Sequence, residues 1–441
     1  MVYDRLTYLA QKRARQRVAT PVIIKVRYGY LKRIAEYLFP YHQQTVKVFT
    51  DFLRSAPIFG IFRVFPKFDM ISAYLSREII FDLADMNGVE KIYSDEPVFI
   101  LSYPVVPEEG KFSLVTAEGK KKIFTSTYWT KRLIGADIAN MKGFLGEGVT
   151  VSVIDTGAAR FHRQLPYVEF DTVMPLQQVD GNGHGTWCAT CIAGSYDRDD
   201  YLSLKTGKQV FCEGMAPYTR LVAIKALGYL IGTGSTSQII AAIEKSVNDY
   251  NTDIISMSLG GEDVPERPED DPYYPVFERI VAEGVIPVVA AGNSGPREGT
   301  INTPGALPQA LTVGAYDPLT GKIADFSSRG PTPWGDIKPD CVAPGVNIDS
   351  GTTGYLDMTY DRVPSGFTPM SGTSMATPHV AGLVALMREA LKKLTGYILT
   401  VDEIKRMLSQ LGHEKTNVDG WGPITWEMFE QWLSTEYGVE I

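Results

Sequence analysis

Long apolar runs are missing from this 441-residue chain. No stretch reaches the roughly 18 residues that a helix needs to cross a bilayer, so no membrane span is expected. Cysteine is scarce. Cys188, Cys191, Cys212 and Cys341 are too few for a disulfide framework in a chain of this size. A sustained basic stripe is also lacking and the net charge is −8, which argues against nucleic acid as the main partner. Met1 to Thr20 carries Arg5, Lys12, Arg13, Arg15 and Arg17 but no apolar segment of a secretory signal. A cytoplasmic location or export by another route is therefore expected. Internal repeats and low-complexity tracts are absent. What remains, 44% hydrophobic and 21% charged residues, is the composition of a soluble globular protein. Its length predicts two domains.

The first of these reads as a compact α+β unit over residues 1–103. Pro21–Tyr28 is β-rich, Leu31–Leu38 has helical spacing, and Ile58–Phe65 and Met70–Leu75 read as paired strands. Ser76–Met86 opens like a helix and Val89–Ile92 reads as a closing strand. Strand, helix, two strands, helix, strand is a split βαβ, ferredoxin-like arrangement. Residues 104–124 are polar and punctuated by Pro104 and Pro107, with Lys120–Lys122 and a weak strand pattern at Phe112–Val115. They read as an exposed linker, where proteases cut. Over residues 125–441 the short apolar runs Val149–Ile154, Arg220–Ala226, Asp253–Met257, Val285–Ala290 and Leu311–Ala315 alternate with helical patterns such as Gln238–Tyr250 and Pro275–Glu283. That alternation predicts an α/β domain with a mostly parallel sheet covered on both faces.

Four segments carry chemistry. Gly372-Thr373-Ser374-Met375-Ala376-Thr377-Pro378-His379 sets a serine between small residues, ahead of a long apolar helix from Val380 to Leu391. Small neighbours admit a substrate carbonyl, and the helix N-terminus favours developing negative charge. Alone, the run reads equally well as a capped helix start. A serine hydroxyl also needs a base and an orienting acid before it becomes a useful nucleophile. Val151-Ser152-Val153-Ile154-Asp155-Thr156-Gly157 places an aspartate past the carboxyl end of an apolar strand, the edge where ligands gather in open α/β sheets. A strand-capping turn is its plainer reading. Asp180-Gly181-Asn182-Gly183-His184-Gly185-Thr186 wraps one of only five histidines in glycines, with helix-forming residues Trp187–Ala193 behind it. Ala290-Ala291-Gly292-Asn293-Ser294-Gly295 ends another strand with an amide able to donate to an oxyanion.

In the order Asp, His, Asn, Ser, these segments resemble the subtilase family of serine endopeptidases. Gly214-Met215-Ala216-Pro217, Ser258-Leu259-Gly260-Gly261 and Ser327-Ser328-Arg329-Gly330-Pro331 fall between them where the family has its smaller signatures. The resemblance covers about Trp129 to Trp432. It implies a subtilisin-like three-layer domain in which Ser374 forms an acyl-enzyme, His184 is general base, and Asp155 orients the imidazole. Asn293 would form the oxyanion hole with the Ser374 N–H. Ser258, Leu259 and Gly260, with a strand near Gly232 and Gly234, would pair with an extended peptide substrate. Asn302 would lie near the base of the pocket for the side chain preceding the scissile bond. No cofactor is required by this chemistry, although subtilases often carry calcium.

The N-terminal unit is similar to the family's propeptide, an intramolecular inhibitor, most visibly at Gly88-Val89-Glu90-Lys91-Ile92-Tyr93-Ser94-Asp95. Its pattern ends near Tyr103, whereas counting back from Asp155 puts a family-like mature start near Phe124. Two processing points are thus in view. Two rivals are a catalytically silent peptide-binding subtilase and an exo-acting tripeptidyl peptidase.

Other signals are weaker. His184, Cys188 and Cys191 share a helix face like zinc ligands, but zinc would consume the base and lacks a fourth ligand. A disulfide between Cys191 and Cys212 would close the polar segment 195–210. Gly232-Thr233-Gly234-Ser235-Thr236-Ser237 lacks the third glycine of a dinucleotide loop. Asp197-Arg198-Asp199-Asp200 and Glu269-Asp270-Asp271 are acidic enough for calcium but show no ligand spacing.

Overall fold

Alternation of buried side chains along short β-branched strands builds the centre of the larger domain. In the computed structural model, which describes residues 6–7, 10, 19–52, 62–100, 112–115, 121–174, 179–228, 232–353 and 366–441, seven strands form one sheet. Their order is Cys341–Pro344, Leu311–Tyr316, Ile286–Ala290, Ile254–Met257, Thr150–Asp155, Arg220–Lys225 and Glu169–Thr172. Every neighbouring pair is parallel. Val151, Val153, Leu221, Ala223 and Val288 face one core, shared with the helices His184–Ala193 and Thr373–Thr395. Val222, Ile224, Ile255 and Val289 face the other, shared with Thr236–Tyr250 and Tyr274–Ala282. This is the expected three-layer α/β fold. Burial on both faces explains why its central strands are continuous apolar runs.

The outer strands were not legible in the same way. Glu169–Thr172 is polar and only half-buried, because an edge strand has one neighbour. Cys341–Pro344 ends in proline, tolerated at the opposite edge. Strand order reverses at Thr150–Asp155, which has Arg220–Lys225 on one side and Ile254–Met257 on the other. Asp155 is the last residue of that strand. Such a switch point opens a crevice at the strand ends.

Residues 19–94 form a second, antiparallel sheet ordered Arg63–Phe65, Met70–Ser76, Ala19–Val26, Val89–Ser94. The helices Leu31–Phe52 and Arg77–Asp85 complete the split βαβ pattern. The first helix runs past the expected Leu38, carrying Pro40 within it. Residues 58–61 of the expected second strand lie outside the described residues. Val22, Ile24, Ile34, Leu38, Ile71 and Leu83 make this unit's own core. The other sheet face is apolar as well: Ile23, Phe65, Phe68, Met70 and Tyr93 pack in one cluster with Ile239, Ile240, Ile243 and Phe277 of the larger domain. Burial of each such side chain contributes about 1.5–3 kcal/mol. Around this face the Arg63 guanidinium donates to the Val173 carbonyl at 2.6 Å. Lys67 pairs with Glu283 and Lys91 with Asp270, each at 2.7 Å.

Beyond this unit, Pro97–Ile100 runs as the middle strand of three, antiparallel to Thr233–Ser235 and to Leu259–Gly260. Within the stretch expected as a linker, Phe112–Val115 pairs antiparallel with Lys121–Ser126. The latter lies parallel to Ile348–Gly351, and Phe124 is buried. Residues 101–111 and 116–120 lie outside the described residues. All four cysteines are free and buried. The bond that would join Cys191 to Cys212 is not formed: the Cys191 sulfur sits 3.4 Å from His379 Nδ1, and that of Cys212 sits 3.3 Å from an Asp349 carboxylate oxygen.

Candidate active site

Asp155 ends the switch-point strand and His184 opens a helix, and the fold brings them together. His184 Nδ1 lies 2.8 and 3.0 Å from the two Asp155 oxygens, with the imidazole only 1% exposed and the carboxylate 0%. A carboxylate only accepts, so Nδ1 carries the proton and the Nε2 lone pair is left to take one from another group. Among the described residues, His184 Nε2 has no hydrogen-bond partner. Burial works to depress the imidazole pKa, but the Asp155 carboxylate and, after it, the Cys188 sulfur together hold the value well above 6.5. Gly185 follows the histidine because there is no room for more. A Cβ there would lie 2.1 Å from the Gly157 carbonyl oxygen.

Ser374 sits in the first turn of the helix Thr373–Thr395, fully buried. Its hydroxyl donates to the Ser258 carbonyl at 2.9 Å, and the Ser258 hydroxyl returns a bond of 2.9 Å to the Ser374 carbonyl. The nucleophile candidate is therefore turned toward the Ser258 strand rather than toward the imidazole. Cys188 lies beneath both groups, its sulfur 4.0 Å from His184 Nδ1 and 3.7 Å from the Ser374 carbonyl oxygen. Burial pushes that thiol up in pKa, so it stays protonated.

Asn293 meets the same helix end. Its side-chain oxygen accepts from the Thr373 N–H and hydroxyl, both at 2.9 Å. A backbone N–H can only donate, so the facing atom is the amide oxygen and the NH₂ group points away from it. Asn302 is buried against Gly292, where a Cβ would lie 2.1 Å from Asn302 Oδ1. Gly234, within Thr233–Ser235, is opposite Val98. Leu259 is opposite Ile100 and Gly260 opposite Phe99, while Ser258 precedes them as the hydroxyl's acceptor. Gly232 leads into the Thr233 strand with φ of 65°.

The family model described as the subtilase family matches residues 146–416, more than half of the sequence. The chain belongs to the subtilase family. It is 36% identical to serine protease AprX of Bacillus subtilis over 305 residues, covering 64% of each. With pyrolysin of Pyrococcus furiosus it shares 35% over 276 residues, 52% of this chain and 19% of pyrolysin. With subtilisin Savinase of Lederbergia lenta it shares 32% over 304 residues, 68% of this chain and 98% of that protein. It thus spans less than two thirds of the length of AprX and pyrolysin.

Within the subtilase domain, the three residues weighed and discounted as zinc ligands do not group together. Cys191 turns to His379, and Asp155 joins His184 and Cys188 in its place. Ligation there would take the nitrogen that Asp155 already holds. The acidic patches are met by cations. Arg163 reaches Asp197 at 2.5 Å, Arg198 reaches Asp200 at 2.6 Å, and both Lys91 and Arg267 reach Asp270. Such pairing leaves these carboxylates poorly suited to calcium. The helix start behind the glycine-rich loop already has a cap and a carboxylate partner. Ser235 caps the helix Thr236–Tyr250, and the carboxylate at that N-terminus belongs to Asp95, which accepts the Ser237 N–H at 2.7 Å and its hydroxyl at 2.5 Å. Sequence reasoning missed this acid because its partner lies 142 residues away.

Proposed function

We propose that this subtilase is a serine endopeptidase that hydrolyses peptide bonds through an acyl-enzyme on Ser374 and is made as a self-processed zymogen. The observation that carries this reading is the strand Pro97–Ile100, lying between Thr233–Ser235 and Leu259–Gly260 as an extended peptide substrate would. For attack, the Ser374 hydroxyl leaves the Ser258 carbonyl for another staggered rotamer and gives its proton to His184 Nε2. Its oxygen adds to the scissile carbonyl. The imidazolium, held by Asp155, then protonates the leaving amine, and water repeats the sequence to release the acyl group. Asn293 Nδ2 and the Ser374 N–H stabilise the tetrahedral oxyanion. Asn293→Ala should lower kcat by about 100- to 1,000-fold with little change in KM, the range found for such a donor in subtilisin. Steady-state kinetics on a peptide substrate measures it.

Residues 1–103 act in this reading as an inhibitor whose trailing strand fills the cleft. Phe124 is buried in a strand beside Ile348–Gly351, which favours a cut near Tyr103 over one near Phe124. Protein substrates, this inhibitor unit and no required cofactor complete the proposal. Fluorophosphonate labelling tests it together with N-terminal sequencing of the active form. Ser374 should be modified once the N-terminal unit is removed, and absence of labelling would leave a silent peptide-binding subtilase. Internal cleavage of an unstructured protein separates endopeptidase from tripeptidyl peptidase action.

Docking of the N-terminal unit should depend on pH. Burial at the helix N-terminus raises the Asp95 pKa to about 6, against the hydrogen bonds from Ser237 and the Arg63 charge, while Glu96 adds to the rise. Undocked and solvated, the group returns to the ordinary carboxylate value near 4, so docking takes up a proton. Its contribution is fully present below about pH 4 and is lost as pH rises through 6. Inhibition by the cut unit should therefore be about tenfold tighter at pH 5 than at pH 8. Asp95→Asn should remove that dependence, read from inhibition constants at the two pH values.

A further inference from the structure

Asp180 stands four residues ahead of His184 and in sequence reads only as a turn residue. In the fold its carboxylate is buried among donors. Oδ1 accepts from the Thr156 hydroxyl at 3.0 Å and from the N–H groups of Asn182 at 3.0 Å and Gly183 at 2.9 Å. Oδ2 accepts from the Thr186 N–H at 3.0 Å and from its hydroxyl at 2.6 Å. Both hydroxyls donate to this carboxylate while also accepting a backbone N–H. Thr156 Oγ1 already accepts the Gly185 N–H, and Thr186 Oγ1 the Ala159 N–H, each at 2.9 Å. Burial raises the pKa of this carboxyl, and the hydrogen bonds from Thr186 and Gly183 work against that rise, in favour of the anion.

The groups that this anion joins are the two halves of the acid–base pair. Thr156 directly follows Asp155, and its N–H bonds Asp155 Oδ1 at 2.7 Å. The Thr156 carbonyl is held in turn by the buried Lys225 ammonium at 2.7 Å. Gly183 and Thr186 bracket His184 in the first turn of its helix. We propose that Asp180 is a positioning residue for the peptidase reaction, fastening the strand end that carries Asp155 to the helix start that carries His184. It thereby sets the short Nδ1–carboxylate distances and, through them, the tautomer and basicity of the imidazole. The proposal rests on the serine-peptidase reading above.

Titratable groups surround the pair. Asp155 and Lys225 face Asp180, and Asp155 and Cys188 face His184. A plain helix cap would also place an acid at these N–H groups. The two roles differ in what they move: a cap supports stability alone, whereas a positioning residue also controls proton transfer.

Asp180→Asn keeps the size but turns an NH₂ group toward one set of donors. With native-like folding, kcat should fall about 10- to 100-fold, as for a small misplacement of reacting groups, with KM within about twofold. The acid limb of kcat/KM should move to lower pH as the Asp155–His184 bond loosens. The same shift should appear in the His184 pKa followed by NMR in chains that also carry Ser374→Ala. That readout needs no activity, so an inert parent enzyme with a shifted imidazole would defeat the peptidase reading and leave the positioning role standing. If Asp180→Asn fails to fold, Thr186→Val should reproduce the loss and Thr186→Ser should restore it. An unchanged kcat, pH limb and imidazole pKa beside a lowered Tm would overturn the proposal. Equal losses in the Val and Ser variants would do the same.

Discussion

Replacing Ser374 by alanine should lower kcat by about a million-fold, the scale recorded when the nucleophile of subtilisin is removed. The magnitude follows from what the oxygen does. Without it no acyl-enzyme forms, and neither Asn293 nor the imidazole can recover a step that has lost its covalent partner. Structural disturbance should be small, because among the described residues the side chain makes one hydrogen bond of its own, to the Ser258 carbonyl. The same substitution should stop self-processing, so the chain should accumulate at its full 48.7 kDa. Gel mobility and fluorophosphonate labelling read the two effects separately. A variant that still cuts itself would move the nucleophile elsewhere.

The second large effect is expected at Asp155. Asp155→Asn should cost about 10,000-fold in kcat, since an amide can donate to Nδ1 and hold the tautomer that lacks an Nε2 lone pair. The pH profile carries a further signature. In the native chain burial works to lower the imidazole pKa, but the carboxylate, with the Cys188 sulfur, prevails and the value lies well above 6.5. A base must be neutral to accept a proton, so native kcat/KM should fall as pH drops through that raised value. In the Asn variant burial acts without the opposing carboxylate. The residual activity should then keep its plateau to lower pH than the native enzyme does. Measuring kcat/KM from pH 5 to 9 for both proteins checks the shift, and an acid limb that stays in place would separate Asp155 from the titration.

The segment around His184 stood out in the sequence because its glycines mark close packing. The glycine after His184 abuts the Gly157 carbonyl, and such crowding leaves its mark in the local sequence. The central strands were readable for a related reason: burial on both faces admits little but apolar residues. Asp180 was not readable. Its neighbours spell a turn, and its meaning depends on Thr156, a residue 24 positions earlier. Asp95 was hidden in the same way, its partners supplied by a helix of the other domain. The strand Glu169–Thr172 was overlooked because a half-buried edge leaves composition nearly free. The state of Cys191 and Cys212 could not be read from sequence, since each is satisfied by a different neighbour across the core.

The apolar face formed by Ile23, Phe65, Phe68, Met70 and Tyr93 bears on timing. A single cut between residues 100 and 121 severs one connection and leaves that face and its rim of ion pairs in place. The severed piece would hold its seat after the chemistry is over. Full activity would then lag behind cleavage by the residence time of the detached fragment, and a variant weakened at Phe65 or Phe68 would shorten the lag without cutting any faster.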